Sequence, residues 1–213
     1  MKISIRPAPH AKGCALDGRR SKAGCGKFLN QSHRCETDCP AGYCCEMKHC
    51  QAVGEALEKE LVARGHTVYL AGKQYRLGSP AKVASQHTRL AMAELNAHAP
   101  DLHIAIHTNA SSNPSARGIQ AMYPPARYGE HSEHSKALCE HIAAALKSIY
   151  DGSVWTREYD ADETNDCPGA GCYLELGYGN TNAQDARFVH DHPVEIAKAL
   201  ADGMEAWFGS LNA

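Results

Sequence analysis

Hydrophobic and polar positions follow two periods along this chain, one typical of helices and one of strands. Apolar residues recur at spacings of three and four from Glu46 to a capping Gly65, which predicts an amphipathic helix that buries one face. A similar stripe from Pro193 predicts a C-terminal helix with proline near its start. Two more helices are predicted at about 80–96 and 132–150, and strands are predicted in the run ending at Pro7 and at 67–72, 101–107, 119–123 and 171–176.

The order of these elements predicts the fold class. Strands alternate with helices throughout, which is typical of an α/β fold with a mostly parallel, twisted sheet and helices on both faces. No repeat, linker or low-complexity tract interrupts the pattern, so we expect a single domain over residues 1–213. Residues 11–45 are the exception, because they are rich in glycine, cysteine and charge and lack periodicity. We interpret them as an elaborated loop insertion.

Composition and charge narrow the classes of function. The 213 residues include 22 Lys and Arg against 24 Asp and Glu, a formal charge of −2, which disfavours nucleic-acid binding. No window approaches the roughly 18 apolar residues of a membrane span, so we expect no membrane partner. The N-terminal run lacks the apolar stretch of a signal peptide. Thirteen histidines and ten cysteines stand out instead, and histidine is the commonest metal ligand.

Four polar residues stand near the predicted carboxyl ends of strands, where open α/β sheets bind ligands. His10 follows the first strand, His107 ends the central strand, Glu46 begins a long helix, and Glu175 lies in an otherwise apolar strand. Two histidines and a glutamate form a typical catalytic zinc set, and a separate carboxylate can take a proton from water. His103 is a rival to His107 on the same strand face. We assign it a core or supporting role.

Each of these residues also has an interpretation that involves no catalysis. His10 could be an ordinary loop histidine, and Glu46 could be an acid favoured by the helix dipole. Glu175 is harder to explain in that way, because a carboxylate in an apolar strand is costly unless it is paired or coordinates a metal.

The sequence resembles the zinc-dependent N-acetylmuramoyl-L-alanine amidases of bacterial cell-wall hydrolases and phage endolysins. The resemblance runs almost end to end, and its most specific segments are DLHIAIHTNAS (101–111), RGIQAMY (117–123), CYLELGYGNTN (172–182) and IAKALADGMEAWF (196–208). It implies that His107, His10 and Glu46 bind zinc and that Glu175 is the catalytic carboxylate. The chain departs from the family around His10, where RPAPHAKG replaces the usual glycines.

The resemblance also implies a substrate and a place of action. We expect hydrolysis of the amide between N-acetylmuramic acid and L-alanine in peptidoglycan, at the bacterial cell wall, after release or outside the cell. We further expect a monomer made without a visible signal peptide and without a separate wall-binding domain.

Two other functions remain open from the residues. HRCE (33–36) fits the H-x-x-E pattern of zinc carboxypeptidases, so His33, Glu36 and His107 could bind zinc in a peptidoglycan peptidase with Glu175 as base. Alternatively, the chain could be a non-catalytic, cysteine-rich wall-binding module, which would leave Glu175 unexplained.

Seven of the ten cysteines lie between Cys14 and Cys50. We expect disulfides among them, since a wall hydrolase acts where bridges persist and a long irregular loop gains stability from closure. A structural zinc knot and a reduced cluster are the alternatives, although the segment contains no C-x2-C pair. The odd number leaves one cysteine of the cluster to pair with Cys139, Cys167 or Cys172, or to stay unpaired.

Overall fold

The computed structural model of the chain shows a sheet of six strands flanked by helices. The structure describes residues 1–8, 46–71, 81–113, 115–179 and 181–211, apart from the side chains of residue 47 and residues 81–87. Its strands are β1 (Lys2–Pro7), β2 (Thr67–Leu70), β3 (Leu102–His107), β4 (Ile119–Tyr123), β5 (Val154–Glu158) and β6 (Ala170–Glu175). Its α-helices are α1 (Glu46–Ala63), α2 (Ala81–Asn96), α3 (Glu130–Lys147), α4 (Asp162–Asn165), α5 (Ala183–Asp191) and α6 (Pro193–Ser210), and a 3-10 turn spans Ala126–Tyr128.

The strand order is β2-β1-β3-β6-β4-β5, with β3 and β6 at the centre. Neighbouring strands run parallel except for the antiparallel pair β4 and β6. The predicted α/β class with a mostly parallel sheet is therefore confirmed. The reversed direction of β4 brings its first residues to the edge of the sheet where β3 and β6 end.

One face of the sheet is apolar and packs against α1, α3 and α6. Ile3, Ile104 and Leu174 point into this layer and are fully buried. The predicted stripes of the two long helices meet them, and their fully or almost fully buried members are Cys50, Val53, Leu57 and Leu61 of α1 and Ile196, Leu200, Met204 and Trp207 of α6. Hydrophobic burial on this face stabilises the fold and leaves the other face available for polar chemistry.

The opposite face carries polar side chains that are nevertheless buried. Alternation along the strands places Ser4 and Arg6 of β1 on this face, together with His103 and His107 of β3, and all four are at most 1% exposed. Helices α2 and α4 contribute to their cover, since Arg6 contacts Thr88 of α2 and Glu163 of α4. The sheet therefore separates an apolar core from a layer of buried polar groups.

Three elements were absent from the sequence prediction. Strand β5 is only half-buried along its first three residues, so it lacks the apolar run of a central strand. Helix α4 has four residues, too few for a helical period, and α5 precedes the predicted C-terminal helix directly. In α2, Leu90 is 49% exposed, and Ala91, Met92 and Leu95 form the buried side.

The cysteines of the described segments do not form disulfides with one another. Cys139, Cys167 and Cys172 are buried free thiols. The expected bridges among cysteines 14 to 45, and the loop insertion 11–45 itself, lie outside the described residues. No helix in the described part of the chain is long and apolar enough to cross a membrane.

Substitution of Gly203 tests the close packing of α6 on α3. A Cβ at this position would lie 2.8 Å from Ile142 Cα and 3.0 Å from the His141 carbonyl oxygen, both backbone atoms that cannot rotate away. Gly203→Ala should lower the free energy of unfolding by about 1–3 kcal/mol. Gly209 of the same helix has no atom within 4 Å of such a Cβ, so Gly209→Ala should be neutral or stabilise by up to about 1 kcal/mol. Equal denaturation midpoints for the two variants would contradict this packing.

Candidate active site

His107 and Glu175 end the two central strands side by side. They are register partners in the parallel pair of β3 and β6, so their side chains leave the same face of the sheet at the same edge. His107 is 1% exposed and Glu175 9%. The edge is the one at which open α/β sheets bind their ligands.

Glu46 reaches this edge from the first turn of α1. Its Oε1 atom lies 3.1 Å from His107 Nδ1 and accepts a hydrogen bond of 3.2 Å from the Thr108 backbone N–H. The carboxylate is 1% exposed. Its position at the start of α1 places it in the favourable field of the helix dipole. A histidine nitrogen and a carboxylate oxygen thus face each other in a buried place next to Glu175.

The second nitrogen of the His107 ring faces another carboxylate. Nε2 lies 3.2 Å from Glu163 Oε2, on α4. The same oxygen accepts a hydrogen bond from Nη1 of Arg6, whose Nη2 donates to Thr88 Oγ1 at 2.6 Å. Arg6 is itself 1% exposed. A buried chain of contacts therefore runs from Glu46 through His107 and Glu163 to Arg6.

The charges in this chain of contacts stabilise one another. Burial lowers the pKa of His107, but Glu163 and Glu46 outweigh that effect and raise it to about 9. Burial raises the pKa of Glu163, whereas His107 and Arg6 outweigh it and lower it to about 2. Glu163 is therefore ionised and acts only as an acceptor. The surroundings of His107 favour a positive charge at the ring.

Tyr173 fixes the plane of the His107 ring. The two rings stack with centroids 4.4 Å apart and planes 11° from parallel. Tyr159 meets Tyr173 edge-on at 5.2 Å, and both tyrosines line a cleft of about 240 Å³ that also borders Glu163 and Thr88. Burial, followed by the carboxylates of Glu163, Glu175 and Glu46, raises the pKa of Tyr173 well above its usual value. Tyr173 therefore stays protonated.

A buried carboxylate holds the turn after Glu175 in place through hydrogen bonds. Asp185 of α5 accepts hydrogen bonds from the backbone N–H groups of Gly118 and Tyr178, from the Tyr150 hydroxyl and from Arg117 Nε. Arg117 and Gly118 lie in the loop after β3, Tyr178 lies in the loop after β6, and Tyr150 follows α3, so Asp185 joins these three segments to α5. The backbone that follows the Glu175 carboxylate is thereby held in place.

The structure brings together three of the four residues selected from the sequence. Glu46 and His107 are in contact, and Glu175 is adjacent to His107, whereas His10 lies outside the described residues, as do His33 and Glu36 of the alternative site. Within the described segments, no three His, Cys, Asp or Glu side chains are placed to hold a metal ion by themselves. The expected third ligand is the undescribed His10.

His103 is buried in the polar layer, which agrees with the core role expected as one of two alternatives. It is fully buried, its Nδ1 lies 2.8 Å from the Ser4 hydroxyl, and burial lowers its pKa to about 3. Sequence reasoning did not identify Arg6 and Glu163. The signal available for Arg6 was an arginine near the end of a predicted strand, because a cation buried there requires an anionic partner.

Comparisons with known proteins place the chain beside cell-wall amidases. The profile of the family "N-acetylmuramoyl-L-alanine amidase" matches residues 36–206. No curated protein matches the sequence. Similar solved structures include the CwlD amidase of Clostridioides difficile in complex with the GerS lipoprotein, with 17% identity, a TM-score of 0.70 and 98% of each chain covered.

Two further structures have the same fold. The amidase Ami1 of Mycobacterium smegmatis shares 18% identity at a TM-score of 0.68, with 99% of this chain and 97% of that chain covered. The amidase AmiC2 of Nostoc punctiforme shares 16% identity at a TM-score of 0.65, with 98% and 97% covered. The fold is therefore shared along the full length of these domains.

Substitution of Gly177 tests the turn that follows Glu175. Gly177 has a φ of +81°, and a Cβ there would lie 2.9 Å from the Asp185 side chain. Gly65 has a similar φ of +86° with no atom within 4 Å, so Gly65→Ala should cost only the left-handed backbone, about 1–2 kcal/mol. Gly177→Ala should lower the free energy of unfolding by about 1–3 kcal/mol more. If both variants lose the same free energy of unfolding in urea, the Asp185 side chain can move away from the new Cβ without cost.

Proposed function

We propose a zinc-dependent reaction for this chain, which belongs to the N-acetylmuramoyl-L-alanine amidase family. Members of the family hydrolyse the amide between N-acetylmuramic acid and L-alanine in peptidoglycan, and the chain is an enzyme of this class. The finer proposal is that Glu46, His107 and His10 hold the zinc and that Glu175 is the catalytic carboxylate. The observation that carries it is the buried contact between His107 and Glu46 beside Glu175.

The donor atoms of the site fit zinc. Imidazole nitrogen and carboxylate oxygen are typical zinc ligands, and two such atoms on one tetrahedral ion lie about 3.3–3.5 Å apart, from their bond lengths of about 2.0–2.2 Å. The observed separation of His107 Nδ1 and Glu46 Oε1 is 3.1 Å. The electrostatic surroundings also favour a cation, because two carboxylates flank the His107 ring.

Glu175 has the position of a general base. It is adjacent to His107 across the β3–β6 pair and is almost buried at the carboxyl edge of the sheet. When bound, zinc polarises the substrate carbonyl and makes the attacking water more acidic. Glu175 takes the proton of that water and returns it to the nitrogen of L-alanine as the amide bond breaks. Three protein ligands leave a fourth position for water, so Glu175 need not bind the metal.

The other expectations follow from this reaction. A peptidoglycan hydrolase acts at the cell wall, and an endolysin role would place its release inside a lysing cell. We propose that residues 1–213 form one catalytic domain with the cysteine-rich insertion at 11–45, acting as a monomer. Disulfides in the insertion would suit an enzyme that works outside the cytoplasm.

Removal of individual ligands tests the metal site. His107→Ala should weaken zinc binding by more than the roughly 10–100-fold typical of an outer partner, because it deletes a ligand itself. Chelation should abolish activity and added zinc should restore it. His103→Asn is the matched control on the same strand face. It should retain one zinc ion per chain in metal analysis, because the His103 Nδ1 atom contacts the Ser4 hydroxyl. Loss of zinc in Glu36→Ala but not in Glu46→Ala would instead favour the carboxypeptidase-like site.

Product analysis tests the bond that is cut and the role of Glu175. Digestion of purified peptidoglycan should release new α-amino groups on L-alanine and no new reducing sugar, because the glycan strand stays whole. Glu175→Gln should retain the fold and zinc but lose at least about 100-fold in rate, the lower scale for loss of a general base. Amino-terminal labelling identifies the product. Label confined to a released D-amino acid would indicate a peptidase, and binding without any product would indicate a wall-binding module.

A further inference from the structure

Glu163 and Arg6 form a buried ion pair behind His107 that the hydrolytic step does not use. Glu163 faces the Nε2 atom of the ring, and Arg6 binds the same Glu163 oxygen. Arg6 is 1% exposed and the Glu163 side chain 11%. A buried ion pair contributes little net stability when its desolvation is counted, so stability alone explains its presence poorly.

We infer that Glu163, held by Arg6, is a positioning residue that orients His107 and presents its Nδ1 atom to the metal. This inference rests on the proposed function, since it assumes that His107 and Glu46 bind zinc. Histidine ligands of zinc commonly donate their second ring N–H to a carboxylate, which fixes the tautomer and the orientation of the ring. Glu163 is placed to be that carboxylate.

The hydrogen bonds around Glu163 Oε2 determine the tautomer. Oε2 accepts from Arg6 Nη1 and lies 3.2 Å from His107 Nε2. A carboxylate that is paired with a guanidinium accepts hydrogen bonds, so this contact favours a hydrogen on the Nε2 atom. A neutral His107 ring then has its lone pair on Nδ1, the atom 3.1 Å from Glu46. The stacked Tyr173 ring prevents rotation of the imidazole out of this plane.

Arg6 also decides which side of the ring can take a metal. A zinc ion between Nε2 and Glu163 would lie next to a buried guanidinium that already binds the same carboxylate oxygen, and like charges repel strongly in a buried site. The ion pair therefore disfavours a metal at Nε2 and leaves Nδ1 as the ring atom for it.

The test compares zinc affinity in variants that separate the loss of the Glu163 carboxylate from a loss of protein stability. Glu163→Gln removes the carboxylate but leaves Arg6 buried without its anion, which by itself could destabilise the protein. The double variant Arg6→Met with Glu163→Gln removes both charges together and should restore the thermal midpoint of the metal-free protein. Asp162→Asn is the matched control, since Asp162 is the exposed neighbour of Glu163 on α4.

Zinc affinity is measured by competition with a chromophoric chelator, and folding by the thermal midpoint of the metal-free protein. We expect about 10–100-fold weaker zinc binding in both the single and the double variant, and wild-type affinity in Asp162→Asn. The visible spectrum of the cobalt-substituted double variant should also change, because the orientation of His107 at the metal changes.

Two results would overturn the positioning role while leaving the proposed function intact. One is a folded double variant that binds zinc as tightly as the wild type. The other is a loss in Glu163→Gln that the double variant restores, since the effect would then come from the unpaired Arg6. Zinc binding that survives in the His107→Ala variant would overturn the proposed site and, with it, the role of Glu163.

Discussion

Two carboxylates are buried on either side of the His107 ring, and neither can stay ionised there without a positive charge nearby. Removing an ion from water costs several kcal/mol even after the protein relaxes. Arg6 supplies the positive charge beside Glu163. On the other side of the ring, Glu46 faces Nδ1 and accepts a hydrogen bond from the Thr108 N–H. The two carboxylates together therefore favour a positive charge at the His107 ring and raise its pKa to about 9.

The topology of the sheet makes this arrangement possible. His107 and Glu175 are far apart in sequence, but β3 and β6 are central neighbours with both residues in register at their ends. Because side chains alternate between faces, the apolar residues of the same strands enter the core against α1, α3 and α6. The shared fold at 16–18% identity shows that the fold tolerates extensive change of sequence.

Periodicity predicted the long elements well and the short ones poorly. The helices at 46–63 and 193–210 have apolar stripes that the core requires, so their pattern is visible in the sequence. Glu163 lies on a four-residue helix that has no period of its own. Its partner is 157 positions away, and nothing local in either segment indicates the contact. Residue type and motif could suggest His107 and Glu175, whereas the role of Glu163 depends on tertiary packing alone.

Glu46 has a structural explanation as well as the proposed functional one, and the two explanations are compatible. An acid in the first turn of a helix is favoured by the helix dipole, which explains Glu46 without any metal. Here that same field reduces the cost of burying a carboxylate that is 1% exposed. The Thr108 N–H adds a further donor to the same oxygen. The start of α1 thus holds the Glu46 carboxylate in place, so as the zinc ligand proposed for this site it would lose little freedom on binding.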